Sequence, residues 1–430
     1  MRSRLFSLLL AAAASGILPY AAVAAAPDPL EGLIVRDIRV SGLTHLSPDV
    51  VTRNLATRVG EPFRRSRLPL DERRLDELRV FTSVAIRPSL DRDQVVIDVA
   101  VTETLRLLPT IALRVTDANG FSAGVGARGI NLLGQGGQSG GSVLFGGETA
   151  VGVSLDSTTI TPGAWYRHIG ASYTSRRNSL YEFDEGATSA DLRLARNFHH
   201  GLRVGGLASL LVLSTGTSGA SLSPDGTDVL PTVGGFVTLD TLDSSTNPRR
   251  GTWAEAEVDL TSGDASSWTF ILDARRFQPL SEKQGLGLFS LATWQTGTVG
   301  TTLPAYLQFA LGGANTVRGW TLGSRNARNQ YIATAEYTYV LRDVTPFSVF
   351  GANAYVGLQL AAFSDVGLAW NASSDFRLGS AIDGYGVGLR ALVPFVDLIR
   401  VDVTFGEPGQ GATAYFGVSL KATRQRQRVR

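Results

Sequence analysis

The residue types that could do catalytic chemistry are scarce in this chain of 430 residues. It has no cysteine and only four histidines, which removes thiol nucleophiles, disulfides and thiolate metal sites. His168 lies in an alternating stretch and His199–His200 precede a turn, and neither has a serine or aspartate partner at a recognisable spacing. We therefore predict that the chain is not an enzyme and has neither a cofactor nor a metal site.

The sequence also contains no motif or charge pattern that predicts phosphate or nucleic-acid binding. The glycine runs lie in β-turn contexts, and no glycine-rich loop follows a strand and opens a helix. Lysine plus arginine number 40 against 38 aspartate plus glutamate, a net charge of +2. This near balance predicts no nucleic-acid partner.

The chain begins with the pattern of an export signal. Arg2 and Arg4 precede an apolar run over residues 5–14. Small residues at 22–24 then suit a signal peptidase. Because the apolar run is too short to span a bilayer, we predict a cleaved signal peptide over residues 1–24, with a retained anchor as the alternative.

Two modules of different composition follow. In residues 27–105, 25 of 79 positions are charged and three are glycine, whereas 44 of the 48 glycines lie in residues 106–430. We predict a first domain over residues 30–105 and a second over residues 106–420. Residues 421–430 form a basic tail, which we expect to be a disordered extension.

The long module alternates apolar and polar residues with a period of two. In residues 252–261, alanine, valine and leucine lie on one face, and Glu255, Glu257 and Asp259 lie on the other. In an exported chain this pattern is typical of an antiparallel β-barrel in lipid with a water-lined lumen. We predict a mainly β fold, a transmembrane barrel of about 16 strands, with a soluble β-sandwich as the alternative.

The short module predicts an α+β domain in the order strand, helix, helix, strand, strand. Ser47 is the expected N-cap of the first helix, with Pro48 at its first turn. In the second helix Leu70, Leu75 and Leu78 are expected to face inward. The predicted elements are a strand ending at Gly42, helices at 47–57 and 65–79, and a hairpin of strands 81–90 and 94–101.

This order resembles a POTRA domain, the periplasmic module of outer-membrane assembly proteins, and Gly60-Glu61-Pro62-Phe63 between the helices adds to the resemblance. In that family an exposed sheet edge receives extended client peptides by β-augmentation. The resemblance implies a client-binding edge here, made by Ser83, Val84, Ala85, Ile86 and Arg87. The alternative is an inert α+β spacer that only positions the barrel.

Three ordered segments of the long module carry a second resemblance. They are Asp240, Asp243, Pro248 and Gly251; Val317, Arg318, Gly319 and Trp320; and Phe363, Asp365 and Gly367. With the glycine-rich stretch 129–137, they resemble the signature segments of the bacterial surface antigen family, which includes BamA, TamA and the two-partner secretion transporters. The resemblance covers nearly the whole mature chain and implies an outer-membrane barrel with its POTRA domain in the periplasm.

The resemblance gives two otherwise ordinary charges a mechanical role. In the family, the loop that carries the arginine folds back into the lumen, and the arginine pairs with the aspartate of the Phe-x-Asp-x-Gly strand. We therefore expect Arg318 to pair with Asp365 and so hold the loop inside the barrel. Gly319 would let the backbone approach the wall, and Trp320 would fill the space beside it.

Barrel closure joins a first strand near residues 105–115 to a last strand near 412–420. Pro109 cannot donate a ladder hydrogen bond, so we predict that it weakens this seam. The alternative is that Pro109 merely precedes the strand. The resemblance implies that the seam opens sideways, so that client strands form on its exposed edge.

These features predict a factor for insertion or assembly of outer-membrane proteins, or for their translocation. Its expected partners are outer-membrane lipid, unfolded or secreted client polypeptides and periplasmic accessory proteins. A two-partner secretion transporter for one exported protein is the first alternative, although that class usually has a second POTRA domain and a plug helix. A passive porin is the second, and it leaves the POTRA domain and the inward loop unexplained.

Overall fold

The protein is represented by a computed structural model with side chains. It describes residues 28–44, 46–78, 80–103, 107–116, 118–130, 137–157, 162–216, 219–243, 247–349, 352–393 and 397–419. The predicted signal peptide, the basic tail and residues 131–136 of the glycine-rich stretch lie outside the described residues.

Residues 28–103 form a small α+β unit with a three-stranded sheet. Its elements are β1 (Val35–Ser41), α1 (Pro48–Thr52), α2 (Leu68–Glu77), β2 (Phe81–Asp91) and β3 (Gln94–Glu103). β3 is central, parallel to β1 and antiparallel to β2. Val95, Ile97 and Val99 of β3 are buried in the core between the sheet and the helices. Among the described residues, no helix is long and apolar enough to cross a membrane.

The first helix is shorter than its sequence predicts. α1 ends at Thr52 rather than near Thr57. The backbone amides of Ala56 and Thr57 donate to the buried carboxylate of Asp71, which lies in α2. A tertiary hydrogen bond therefore replaces the helical bonds that would have extended α1.

The second helix turns a different face inward from the one predicted. Leu75 and Leu78 are buried, but Leu70 is exposed. Asp71 takes the inward position, four residues before Leu75 and therefore on the same face of the helix. The need to bind the turn after α1 decides which face of α2 is buried.

Residues 107–419 form a 16-stranded antiparallel sheet that curls into a barrel, which confirms the predicted fold class and strand number. Its strands are β4 (Leu107–Thr116), β5 (Gly120–Ile130), β6 (Gly137–Gly146), β7 (Glu148–Ser157), β8 (Trp165–Asn178), β9 (Phe183–Asn197), β10 (Leu202–Thr215), β11 (Thr227–Asp240), β12 (Gly251–Thr261), β13 (Ser267–Pro279), β14 (Gln284–Gln295), β17 (Asn329–Val349), β18 (Ala352–Trp370), β19 (Ile382–Val393), β20 (Asp397–Phe405) and β21 (Thr413–Ser419). Each strand pairs with the next barrel strand along the chain.

The two faces of the barrel differ as a membrane barrel requires. On β13, Trp268, Phe270 and Leu272 are 46%, 44% and 50% exposed, whereas Thr269 and Asp273, on the other face of the strand, are 1% and 5% exposed. Large apolar side chains thus point outward and polar ones point into the barrel. An apolar outer belt around a polar lumen suits lipid outside and water inside.

The connection between β14 and β17, residues 296–328, is the longest in the barrel and returns into the lumen. The sequence predicts a strand at about 303–311, but only residues 309–311 form one. The segment instead has a 3₁₀ turn at Ala305–Leu307 and the short strand β15 (Phe309–Leu311), which pairs with β16 (Arg325–Ala327). Its apolar side chains are buried against the barrel wall, so they need no place in the lipid-facing sheet.

The first and last barrel strands, β4 and β21, lie side by side and form the seam. Over the described residues of these strands, no ladder of backbone hydrogen bonds joins them. Pro109 lies inside β4, opposite Ala127 of β5, rather than before the strand. The barrel is nearly closed, and the seam is its join with the least backbone pairing.

Candidate functional site

Arg318 stands at the centre of the site. Its side chain is 0% exposed, and its guanidinium Nε and Nη2 donate to the two oxygens of Asp365 at 2.7 and 3.0 Å. The backbone N–H of Arg318 donates to Oδ2 of the same carboxylate at 3.1 Å. The structure thus brings together the two charges that the motifs pointed to, in the bidentate geometry that guanidinium and carboxylate favour.

Two further carboxylates surround the same guanidinium. Nη1 of Arg318 donates to Oδ2 of Asp402 on β20 at 3.0 Å and lies 3.5 Å from Oε2 of Glu336 on β17. Arg390 on β19 donates to both of these carboxylates, and Nε of Arg400 lies 3.5 Å from Asp402. We call these three arginines (Arg318, Arg390 and Arg400) and three carboxylates (Asp365, Asp402 and Glu336) the Arg318 cluster. Its formal charges balance.

An aromatic ring completes the surroundings of Arg318. The guanidinium carbon Cζ lies 3.2 Å from the ring centroid of Phe363, and that of Arg390 lies 6.0 Å from the same centroid. Phe363 is two residues before Asp365 on β18, so both side chains point to the same face of the strand. Strand periodicity therefore places a carboxylate and a cation-binding ring together on the lumen wall.

Two motif glycines allow the loop to lie against this wall. Gly319 has φ of +88°, and a Cβ there would lie 2.6 Å from the carbonyl oxygen of Phe405. A Cβ at Gly367 would lie 2.5 Å from Cγ2 of Val317. Any larger residue at either position would push the loop away from β18 or β20.

The loop also reaches the last strand of the barrel. Trp320 is 9% exposed; its indole Nε1 donates to the carbonyl of Asp383, and its own carbonyl accepts from the hydroxyl of Tyr415 on β21 at 3.1 Å. Glu407, in the connection between β20 and β21, accepts from both the amide and the hydroxyl of Thr321. The tip of the loop therefore contacts one side of the seam.

The Asp240 motif lies elsewhere, at the connection between β11 and β12. Asp240 accepts from Nη2 of Arg73 on α2 at 2.7 Å, and Asp243 binds backbone within the connection. Pro248 and Gly251 complete this connection at the start of β12. The structure does not bring these residues to the Arg318 cluster; of the four, Asp240 joins the barrel to the α+β domain.

The predicted client-binding residues 83–87 lie on β2, an edge strand of the small sheet. The opposite edge strand, β1, has backbone partners on its outer side at Val35, which donates to the carbonyl of Glu61 and accepts from the amide of Gly60. In the described part of the chain, no backbone group pairs with the outer edge of β2. The β2 edge is therefore open to an added strand along its length.

Several residues at the site cannot be singled out from the sequence. Alternation in β20 places Asp402 on the polar face, but pairing across several strands decides which lumen charge meets Arg318. The same holds for Glu336, Arg390 and Arg400. Gly384 gives no sequence signal, although a Cβ there would lie 1.8 Å from the carbonyl oxygen of Arg318.

His168 lies between two carboxylates on the neighbouring strands. Its Nδ1 is 2.6 Å from Oδ1 of Asp156, and its Nε2 is 2.8 Å from Oδ2 of Asp191. These carboxylates lie on the neighbouring strands β7 and β9, so the contacts link three strands. Within the described ranges, no group of three or more histidine, aspartate and glutamate side chains is arranged to hold a metal ion.

Comparison with known families agrees with this architecture. The Omp85 superfamily domain matches residues 131–421, and the POTRA family, described as a surface antigen variable number repeat, matches residues 33–104. The protein is therefore an outer-membrane β-barrel with a POTRA domain in the periplasm. The chain belongs to the Omp85 superfamily. No curated protein sequence matches it.

Solved structures share the fold at low sequence identity. BamA from Haemophilus ducreyi lacking POTRA domains 1–3 has a TM-score of 0.58 at 14% identity, over 90% of this chain and 85% of that one. CdiB from Escherichia coli has a TM-score of 0.57 at 13% identity, over 97% and 98%. CdiB from Acinetobacter baumannii has a TM-score of 0.56 at 12% identity, over 90% and 73%. These likenesses show a common fold.

Proposed function

We propose that this protein inserts polypeptides into, or moves them across, the outer membrane, with the seam as the opening and the Arg318 cluster as the lock that holds the loop in the lumen. Membership of the Omp85 superfamily supports this class of function. The observation that carries the mechanism is a contrast: the described seam strands share no backbone ladder, while the loop beside them is held by a fully buried arginine.

The lock follows from the cost of burying charge. Removing one partner of a buried ion pair costs about 3–5 kcal/mol, because the other charge is left uncompensated. Arg318 has three such partners, on β17, β18 and β20. The loop therefore stays in one position while the wall strands keep their register, and it obstructs the lumen of the resting barrel.

The seam offers an unpaired strand edge in the membrane. Unsatisfied backbone groups in lipid are costly, so a client strand that pairs with β4 or β21 is stabilised by main-chain hydrogen bonds whatever its sequence. Pro109 lacks a donor and weakens β4 as a partner for β21. Opening at this place breaks fewer backbone bonds than opening between any other pair of adjacent barrel strands.

The POTRA edge gives clients a first docking place on the periplasmic side. Ser83 and Arg87 are exposed on β2, whose outer edge has no backbone partner among the described residues. A photo-crosslinking residue at Ser83 or Arg87 should capture client polypeptides in growing cells. The same residue at Arg39, exposed on the other edge strand β1, is the matched control and should capture fewer clients. Equal capture at all three positions would contradict client binding at β2 and support a domain that only positions the barrel.

Two alternatives differ in what depends on the protein. Depletion followed by comparison of the outer-membrane and secreted proteomes separates them: general loss of barrel proteins supports assembly, and loss of one secreted protein supports a two-partner transporter. A passive porin predicts steady conductance of the purified protein in bilayers, with or without residues 30–105. A locked barrel predicts low conductance with rare openings. Neither function requires a chemical step.

A further inference from the structure

The lumenal loop has a second fixed point, far from Arg318. Tyr306, in the first half of the loop, is 0% exposed, and its hydroxyl donates to Oδ2 of Asp228 on β11. Asp228 is also 0% exposed. Its carboxylate accepts from the backbone amides of Leu222 and Ser223 at 2.8–3.1 Å. The donors come from two different connections of the barrel, and they meet on one carboxylate.

Apolar packing surrounds this contact. The rings of Phe183 and Tyr306 lie edge to face, with centroids 6.3 Å apart. Leu213 of β10 and Leu303 of the loop are fully buried in the same cluster. A hydrogen bond to a carboxylate in such surroundings is stronger than one in water. The first half of the loop is therefore held to β9, β10 and β11 by both a charge and a small core.

The two fixed points lie on nearly opposite walls. Asp228 is on the eighth barrel strand and Asp402, a partner of Arg318, is on the fifteenth of sixteen. Asp228 also lies at the outer end of β11, because Asp240 at the other end of that strand contacts the POTRA helix. The loop thus crosses the lumen near its outer mouth.

From this geometry we infer that Tyr306 and Asp228 form a second anchor, which fixes the half of the loop that Arg318 does not reach. The loop is then held at both walls, and breaking the contacts of the Arg318 cluster alone frees only one end of it. Tyr306 acts as a positioning residue for the loop. The inference rests on the proposed role of the loop as an obstruction of the lumen.

Labelling of a single thiol tests the anchor directly, because the natural chain has no cysteine. Ala310→Cys places a reporter at a position that is 3% exposed on β15, between the two anchors. The full-length protein in liposomes is treated with a membrane-impermeant maleimide. We expect Tyr306→Phe, which removes only the hydroxyl, to raise the labelling rate about tenfold, as expected for a hydrogen bond to a charged group.

Tyr181→Phe is the matched control. The Tyr181 hydroxyl donates to Oε1 of Gln308 at 3.2 Å, so the same substitution removes a neutral hydrogen bond from the same part of the loop. Its effect should be about threefold or less. A second reporter, Ala314→Cys beside the Arg318 cluster, should respond to Arg318→Lys more than to Tyr306→Phe.

A double-mutant cycle keeps the inference testable if Asp228→Asn disturbs the neighbouring connection. Tyr306→Phe should add little to the labelling rate in the Asp228→Asn background, because the pair is already broken. Equal effects of Tyr306→Phe and Tyr181→Phe, or full additivity in the cycle, would overturn the second anchor. Labelling needs no client, so this result stands apart from any failure of seam opening.

Discussion

The wall that holds the Arg318 cluster and the seam differ in how much backbone they pair. β17 and β18 run for 21 and 19 residues and pair from end to end, apart from two irregularities. β21 runs for seven residues and shares no described ladder with β4. Backbone pairing resists separation of strands in lipid. The comparison shows that the two strands that carry Asp365 and Glu336 are extensively paired, whereas the join with the least backbone pairing lies beside the loop tip.

The largest expected effect comes from removing Arg318, the loop residue that binds the carboxylates of this wall. Arg318→Ala leaves Asp365 and Asp402 buried without their shared partner, at a cost of about 3–5 kcal/mol. We expect most activity to be lost in a depletion–complementation assay. Arg318→Lys keeps the charge but not the bidentate contact, so it should retain an intermediate activity. Native activity in Arg318→Ala would contradict a lock.

Exchanging the charges of Arg318 and Asp365 tests whether their ion pair holds the loop. A simple two-residue lock predicts full recovery when Arg318→Asp is combined with Asp365→Arg. The structure changes this expectation, because Asp402 and Glu336 would then face a new aspartate. We expect partial recovery, and further recovery when Asp402→Asn removes one repulsion. A double variant no better than either single variant, with or without Asp402→Asn, would exclude an ion-pair lock.

A methyl group on the fixed wall should have a smaller effect. Gly384→Ala places a Cβ 1.8 Å from the carbonyl oxygen of Arg318, so the loop or β19 must shift, at about 1–3 kcal/mol. We expect reduced activity and a lower temperature for the gel-mobility shift of the folded barrel. Gly379→Ala is the control, because no atom lies within 4 Å of its added Cβ. Equal behaviour of the two variants would mean that the wall is not closely fitted to the loop.

The smallest effect is expected at the seam. Pro109→Val restores a backbone donor to β4, so the closed barrel should gain about 1 kcal/mol from one more hydrogen bond. Bilayer recordings should show openings about five- to tenfold less often. Thr110→Val on the same strand changes the side chain without adding a donor, and its opening frequency should stay at the native level. An unchanged frequency in Pro109→Val would mean that the proline does not weaken the seam.

The sequence predicts the barrel well because alternation is a local signal repeated on many strands. It also predicts the pairing of Arg318 with Asp365, since both motifs are recognisable as short segments. The partners Asp402 and Arg390 could not be predicted, because their meeting with Arg318 depends on the register of four consecutive strands. The second anchor, Tyr306 with Asp228, depends on loop packing that no periodicity reports.

The strand predicted at 303–311 and the predicted burial of Leu70 differ from the structure for the same physical reason. Residues 303–311 look like a strand because apolar residues are spaced along them, but a small core inside the barrel uses those side chains instead. Helical spacing predicts Leu70 in the POTRA core, but Asp71 takes the buried position because its carboxylate accepts from two backbone amides. In both cases a tertiary contact overruled a local pattern.

A reversible cross-link tests the central claim most directly. Paired cysteines, one in β4 and one in β21, can be introduced cleanly into a chain without cysteine, and Thr338→Cys with Ala361→Cys, opposite each other on β17 and β18, is the matched control on the fixed wall. The seam-linked protein should lose activity when oxidised and regain it on reduction, while the control stays active in both states. Full activity with the seam disulfide formed would contradict opening at the seam.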